Sequence, residues 1–189
     1  SKRDARVPVP NQYFGAFQDG TLKYRGVELR RRDTTMWVRK VQLAALEILS
    51  RANTPHEFSV RIPEVMTLVE RAKRELGTGR VPLEELVVRQ RLSRALNEYR
   101  SPSPAARAAL QLQAQGRQIA PGQSVEFLFI HNGVHAWEMG TRINFGRLDV
   151  KKYCGLLDRA ILTILNPGFK IIMGAAFDPA KVLPKDFKD

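Results

Sequence analysis

The spacing of hydrophobic positions changes repeatedly along the chain, and each change marks an element. Near the N-terminus Tyr13, Phe14 and Phe17 precede Asp19-Gly20, and Leu22, Tyr24 and Val27 follow it. Two strand-like runs around a DG turn predict a β-hairpin. Two strands alone are only marginally stable, so this hairpin needs a surface to lie on. After Asp33 the spacing becomes three and four: Trp37, Val41, Ala44 and Ile48, with Val38, Ala45 and Leu49 beside them. That stripe predicts an amphipathic helix over about 35–51, capped by Asp33 or Thr34. A second helix is predicted to begin near Pro63, a favoured first-turn residue. It carries Val65, Leu68, Val69, Ala72 and Leu76 and stops at Gly77.

Further on the pattern mixes periods. Pro82, Glu84 and Glu85 suit a short helical turn, while Leu86, Val88 and Leu92 suit a strand. The reading adopted is a brief helical turn followed by a strand. Ser103 and Pro104 open a helix that Gly116 closes, and Pro121-Gly122 makes a turn. Asn132-Gly133 lies between two runs of strand formers and predicts a second hairpin. A last helix over about 149–165 gathers Tyr153, Leu156, Leu157, Ala160, Ile161 and Ile164 on one side, and Asn166-Pro167-Gly168 ends it. The remainder reads as a lightly structured strap, and no internal repeat or low-complexity segment is visible. The fold class expected is α+β: an N-terminal β-hairpin followed by a mostly helical body with an inserted β-hairpin.

Charge sharpens this picture. The 189 residues are 43% hydrophobic, enough to bury a sizeable core, but Lys and Arg number 31 against 19 Asp and Glu, a net charge of +12. Charge-rich thermophilic surfaces tend to balance their signs, so the surplus argues for a polyanionic partner, most economically nucleic acid. Cys154 is the single cysteine, which excludes an intrachain disulfide framework and a multi-cysteine zinc site. No apolar run reaches the length of a membrane span, and SKRDARVPVP lacks the apolar core of a secretory signal. Those ten residues read as a tether or as the cut end of a longer chain. The expected location is the cytoplasm, with no membrane partner.

Two basic clusters are candidate phosphate contacts. In the stretch YRGVELRRRD and its flanks, Lys23, Arg25, Arg30, Arg31, Arg32, Arg39 and Lys40 face only Glu28 and Asp33. Arginine's planar fork grips phosphate bidentately without reading bases. Alternatively, Arg31 or Arg32 pairs with Glu28 or Asp33 and pins the hairpin. Gly26 permits close backbone approach or a bulge, or is an ordinary strand glycine. The second cluster is Arg89, Arg91, Arg94 and Arg100 with Tyr99, which either bonds a phosphate through its hydroxyl or packs against Leu96.

The order of YRGVELRRRD, RQRLSRALNEYRSPSP and QGRQIAPGQSVEFLFI ahead of the last helix resembles the C-terminal part of a family B DNA polymerase, especially the archaeal branch. The resemblance covers most of residues 12 to 165, from the end of the palm through the thumb. It implies division into an end-of-palm hairpin and linker (1–33), a thumb (34–168) and a C-terminal tail (169–189). It also implies that the thumb holds primer-template duplex DNA, and that the hairpin with Tyr13 and Tyr24 completes the palm of a larger subunit carrying exonuclease, palm and fingers. The metal-binding carboxylates of that family lie upstream of the strand matched by Tyr13, in motifs this chain lacks, so the resemblance is to either the small subunit of a split enzyme or an excised fragment. This chain is therefore expected to bind no cofactor and to be inactive alone, with Mg2+ held by the partner. DNA contact is implied for Tyr13, Arg25, Gly26, Arg31, Arg32, Ser93, Arg94, Tyr99 and Arg100, with Leu96 and Pro104 also matching. Where the family often has lysines ahead of the tyrosine, this chain has Pro10, Asn11 and Gln12. Ala105 stands where a histidine is frequent. The tail after Pro167 shows no convincing motif for a sliding clamp.

Catalysis by the chain itself is poorly supported. His56, His131 and His135 stand in no metal-binding spacing, and Cys154 lies among apolar residues as a buried small hydrophobe would. Glu84-Glu85 and Asp186-Asp189 do not come from strands converging on one site, as two-metal phosphoryl transfer requires. Two other readings stay open: a freestanding, sequence-neutral nucleic-acid-binding module, and a structural protein whose charge meets acidic protein surfaces.

Overall fold

The computed structural model describes residues 13–16, 22–25, 34–138, 140–165 and 171–172. Elements run in the order β1 (Tyr13–Ala16), β2 (Leu22–Arg25), α1 (Met36–Ser50), α2 (Pro55–Gly77), β3 (Val88–Arg91), α3 (Pro104–Ala114), β4 (Ser124–Ile130), β5 (Gly133–Ala136), α4 (Val150–Leu165) and β6 (Ile171–Ile172). The α+β class is as the sequence implied. Strands form two sheets, β2-β1-β6 and β3-β4-β5. Compact packing divides the chain into two units. One takes its described residues from Ser1–Arg31, Lys40–Arg71 and Leu157–Asp189, the other from Arg32–Arg39 and Ala72–Leu156.

In the first unit β1 and β2 pair antiparallel, Tyr13 opposite Arg25 and Ala16 opposite Leu22, the register a hairpin around Asp19-Gly20 requires. The turn itself lies outside the described residues, as does the breaker Asn166-Pro167-Gly168. Within the segment read as a strap, Ile171 and Ile172 add a strand parallel to β1. The helical core of this unit includes Val41, Leu46 and Leu49 of α1, Val65 and Val69 of α2, and Leu157, Ala160, Ile161 and Ile164 of α4. Gln42 is fully buried among them, and its side-chain amide donates to the Ala160 carbonyl at 2.9 Å, a polar tie between α1 and α4.

Helix starts depart from the sequence reading twice. The hydroxyl of Thr35 accepts the Val38 N–H at 3.2 Å, a capping bond one residue after the expected Thr34. Asp33 lies outside the described residues. Helix α2 starts at Pro55 rather than near Pro63. The Thr54 hydroxyl accepts the Glu57 N–H at 3.1 Å, and the Glu57 carboxylate takes the Asn53 N–H. This is a capping arrangement with proline at the first helical position. Pro63 sits exposed inside the helix, where it cannot donate to the Ser59 carbonyl.

The second unit is built on β3-β4-β5. Val88, Val125, Phe127, Val134 and Ala136 of the sheet and Ala105, Ala106, Ala108, Ala109 and Leu112 of α3 are buried. Helix α3 matches its predicted boundaries: the Ser103 hydroxyl accepts the Ala106 N–H at 3.2 Å. At its other end Gly116 takes φ +90°, and the N–H groups of Gly116 and Arg117 return to the carbonyls of Gln113 and Leu112. No residue with a Cβ adopts that conformation cheaply. The Asn132-Gly133 hairpin also forms, with Asn132 at φ 64° and Ile130 paired with Gly133. The predicted helical turn appears over Leu83–Leu86, leading into β3.

Candidate nucleic-acid interface

Strand β3 aims the second basic cluster. Its side chains alternate, so Val88 is buried while Arg89 and Arg91 share the exposed face. Across the ladder Arg89 stands opposite Glu126 and Arg91 opposite Ser124. The strand is tied at both ends. Beyond Arg91, Leu92 donates to the Gln123 carbonyl at 2.8 Å and accepts from the Gly122 N–H at 2.7 Å. The turn at 120–123 that makes this possible closes through Gln123 N–H to the Ala120 carbonyl at 3.1 Å, with Gly122 at φ +89°. Pro121 followed by a left-handed glycine is the sequence that turn demands. A Cβ on Gly122 would sit 3.4 Å from an Arg91 guanidinium nitrogen.

At the root of β3 the tie is Tyr153 of α4. Its hydroxyl donates to the Leu86 carbonyl at 2.7 Å and accepts the Phe129 N–H at 3.0 Å. The ring meets Phe129 edge-on at 5.8 Å between centroids. Burial raises this phenol well above the ordinary tyrosine range, so it stays protonated and keeps both bonds. Sequence reasoning placed Tyr153 only on an apolar stripe. The available signal was a hydroxyl-bearing ring in the middle of that stripe, which must find a polar partner when buried.

After β3, the segment 93–100 folds back on itself. The Ser93 and Tyr99 hydroxyls lie 3.3 Å apart. That hydrogen bond is the leading cause of a Tyr99 phenol held below the usual tyrosine range. Desolvation opposes it, and the backbone and charge of Arg94 reinforce it. Tyr99 is thus anchored by its polar end to Ser93, half-buried rather than free on the surface. Arg89, Arg91, Arg94 and Arg100 are all exposed, and among the described residues none of them forms an ion pair. Four guanidinium groups within twelve residues of chain, with hydroxyl donors between them, suit a row of phosphate oxygens.

The first cluster is placed only in part. The backbones of Tyr13, Lys23 and Arg25 lie in the β1-β2 ladder, with Lys23 opposite Gly15. Gly26, Arg30, Arg31 and Arg32 lie outside the described residues, as do Glu28 and the two readings of the arginine run. Of the remaining candidates, His56 and His131 are exposed, and His135 is half-buried with Nδ1 2.8 Å from the Ala136 carbonyl oxygen. Cys154 is half-buried, not buried as its apolar neighbours suggested, because the 3.6-residue period carries it to the margin of the stripe centred on Tyr153 and Leu157. Among the described residues no group of three or more His, Cys, Asp or Glu side chains could hold a metal ion. No helix among them is long and apolar enough to cross a membrane.

Comparison with known proteins bears on what this scaffold is. The sequence model of DNA polymerase family B matches residues 11–164. The chain belongs to DNA polymerase family B. It is 26% identical over 161 residues to DNA polymerase 1 of Saccharolobus solfataricus, covering 84% of this chain and 18% of that one. It is 28% identical over 114 residues to the DNA polymerase of Pyrococcus horikoshii, 60% of this chain and 9% of that one. The structure superimposes on the family B DNA polymerase of the hyperthermophilic archaeon Pyrobaculum calidifontis with a TM-score of 0.66 at 21% identity, over 84% of this chain and 20% of that one. At that identity the likeness speaks to the fold. The chain spans less than a fifth of the length of each of the two sequence relatives.

Proposed function

We propose that this chain is the end-of-palm and thumb portion of a family B DNA polymerase, holding primer-template duplex while a larger partner polypeptide makes the new bond. The observation that carries the reading is the set of exposed guanidinium groups at Arg89 and Arg91 on a strand fixed at both ends and at Arg94 and Arg100 beyond it, none in an ion pair among the described residues. The match over residues 11–164 supplies the family context. Residues 1–33 would be the end of the palm, 34–168 the thumb and 169–189 the tail, in a cytoplasmic, chromosome-associated enzyme supporting DNA replication.

A duplex handler must accept every base pair in turn, which favours phosphate and minor-groove contacts over base-edge readout. Arg89 and Arg91 would grip one backbone through charge-assisted hydrogen bonds, and the Ser93-Tyr99 hydroxyls and Arg94 would meet the oxygens beyond. Holding the helix keeps the primer end aligned in the partner's site, and misplacement by about 1 Å can cost about 100-fold in rate. Tyr13, Lys23, Arg25, Gly26, Arg30, Arg31 and Arg32 would act at the palm edge, close to that end. Mg2+ and its ligands would belong to the partner with exonuclease, palm and fingers.

Primer extension by the larger polypeptide, with and without this chain, tests the reading. The chain should raise the rate and lengthen the products. Equal synthesis by the partner alone would remove the role, and synthesis by the 189-residue chain unaided would contradict the division of labour.

A further inference from the structure

A second group of cations gathers at the end of β4 far from Arg91. The chain preceding α4 returns along β4: Leu148 bridges to Ile130, the His131 N–H donates to the Arg147 carbonyl at 2.9 Å, and the Asp149 N–H donates to the Phe129 carbonyl at 3.1 Å. This backbone pairing sets Arg147 beside the exposed hairpin residue His131, and α4 then opens with Lys151 and Lys152. Arg142, Arg147, Lys151 and Lys152 are exposed, and among the described residues none is in an ion pair. Of the acids close in sequence, Asp149 caps the helix beside the lysines and Glu138 is paired. The Asp149 carboxylate accepts the Lys152 backbone N–H at 3.0 Å, and Glu138 lies 2.8 Å from Arg117. The Lys152 ammonium stands 5.2 Å from the Phe129 ring centroid, which orients it without neutralising it.

We propose that Arg147, Lys151 and Lys152 form a second contact for the phosphate backbone of duplex nucleic acid. Like charges that outnumber the one neighbouring carboxylate, Asp149, repel one another, and a polyanion offsets that repulsion. Along β4 the patch is separate from the β3 arginines: Arg91 stands opposite Ser124, while Lys152 lies over Phe129, whose side chain alternates to the other face of the strand. It would meet phosphates of its own rather than extend the β3 row. Lysines contact phosphate as point charges, so this patch adds grip and no sequence preference.

The inference rests on the duplex-binding reading, and one titration separates the two. Binding of the 189-residue chain to a labelled duplex of about two helical turns is followed by fluorescence anisotropy across a salt series. Each phosphate contact contributes about 0.9 to the logarithmic salt slope, so R147Q/K151Q/K152Q should flatten it by about 2 to 3. The charge-conserving R147K/K151R/K152R variant should keep the wild-type slope. An unchanged slope in the glutamine variant, with the wild-type chain binding, overturns this patch alone and would fit a surface that meets acidic protein instead. A wild-type chain that binds no duplex removes the underlying reading, and this patch with it.

Discussion

Arginines in two regions of this chain sit in opposite surroundings. At the corner where α1 meets α2, Arg51 lies 3.6 Å from Glu47 and 3.9 Å from Glu64, and Arg61 lies 3.2 Å from Glu64. On β3 and the segment after it, Arg89, Arg91, Arg94 and Arg100 are exposed without an ion pair among the described residues. The first set is a surface network on helices, where a pair contributes about 0–1 kcal/mol and satisfies the charge locally. The second set carries its charge without an ion pair on a strand tied at Leu86 and Leu92 and on the segment that follows. Identical side chains therefore stand in two settings, and on the proposed reading the absence of an ion pair, rather than arginine content, marks the set that would meet DNA.

The largest effect that would break or sharpen this contrast comes from removing the unpaired set. R89A/R91A/R94A should weaken duplex binding on the order of 100-fold near 0.1 M salt and flatten the logarithmic salt slope by about 3, for every sequence alike. A gel-shift salt series on two unrelated duplexes checks it, and loss confined to one duplex would point to base readout. Next comes the tie that holds the strand. Tyr153→Phe leaves the Leu86 carbonyl and the Phe129 N–H unpaired, and should cost about 1–3 kcal/mol in urea unfolding. Its pH signature is distinct. The folded phenol is raised above its unfolded value, so its contribution is full below the ordinary tyrosine pKa and is lost as pH climbs past it. The phenylalanine variant should lack that alkaline decline.

How much of this was legible in the sequence depended on whether a local signal was strong and uncontested. The Ser103-Pro104 cap, the Gly116 stop and the Asn132-Gly133 turn are each fixed by backbone geometry that few residues satisfy, and each stands where read. Helix α2 was misread at its start because Pro63 looked like a first-turn proline, while residues 55–62 are mostly exposed and give almost no apolar stripe. The better signal was Thr54-Pro55-His56-Glu57, a cap with its proline and its glutamate in place. The four arginines of the second cluster were visible as charge. Which acids stand near them was not, since Glu126 faces Arg89 only through a β3–β4 register that spans more than thirty residues of chain. The bond from Tyr153 to Leu86 was hidden for the same reason, its partners being 67 residues apart.

A smaller effect concerns Tyr99. Its phenol is held below the usual tyrosine range, so duplex binding should weaken as alkaline pH ionises it and sets a negative charge against phosphate. Ser93→Ala removes the leading cause of that shift and should move the loss to higher pH, read by tyrosinate absorbance alongside anisotropy. Smallest of all should be the paired set. R51A and R61A should each change stability by less than about 1 kcal/mol in urea unfolding and leave the salt slope of DNA binding where it was.

The central claim, that unpaired arginines hold the duplex while paired ones hold only the fold, is tested most directly by arginine side-chain NMR. Nε–Hε signals of the 189-residue chain would be followed as duplex DNA is added. The signals of Arg89, Arg91, Arg94 and Arg100 should shift with saturation while those of Arg51 and Arg61 stay put. Movement of Arg51 and Arg61 with the β3 arginines unmoved would contradict it.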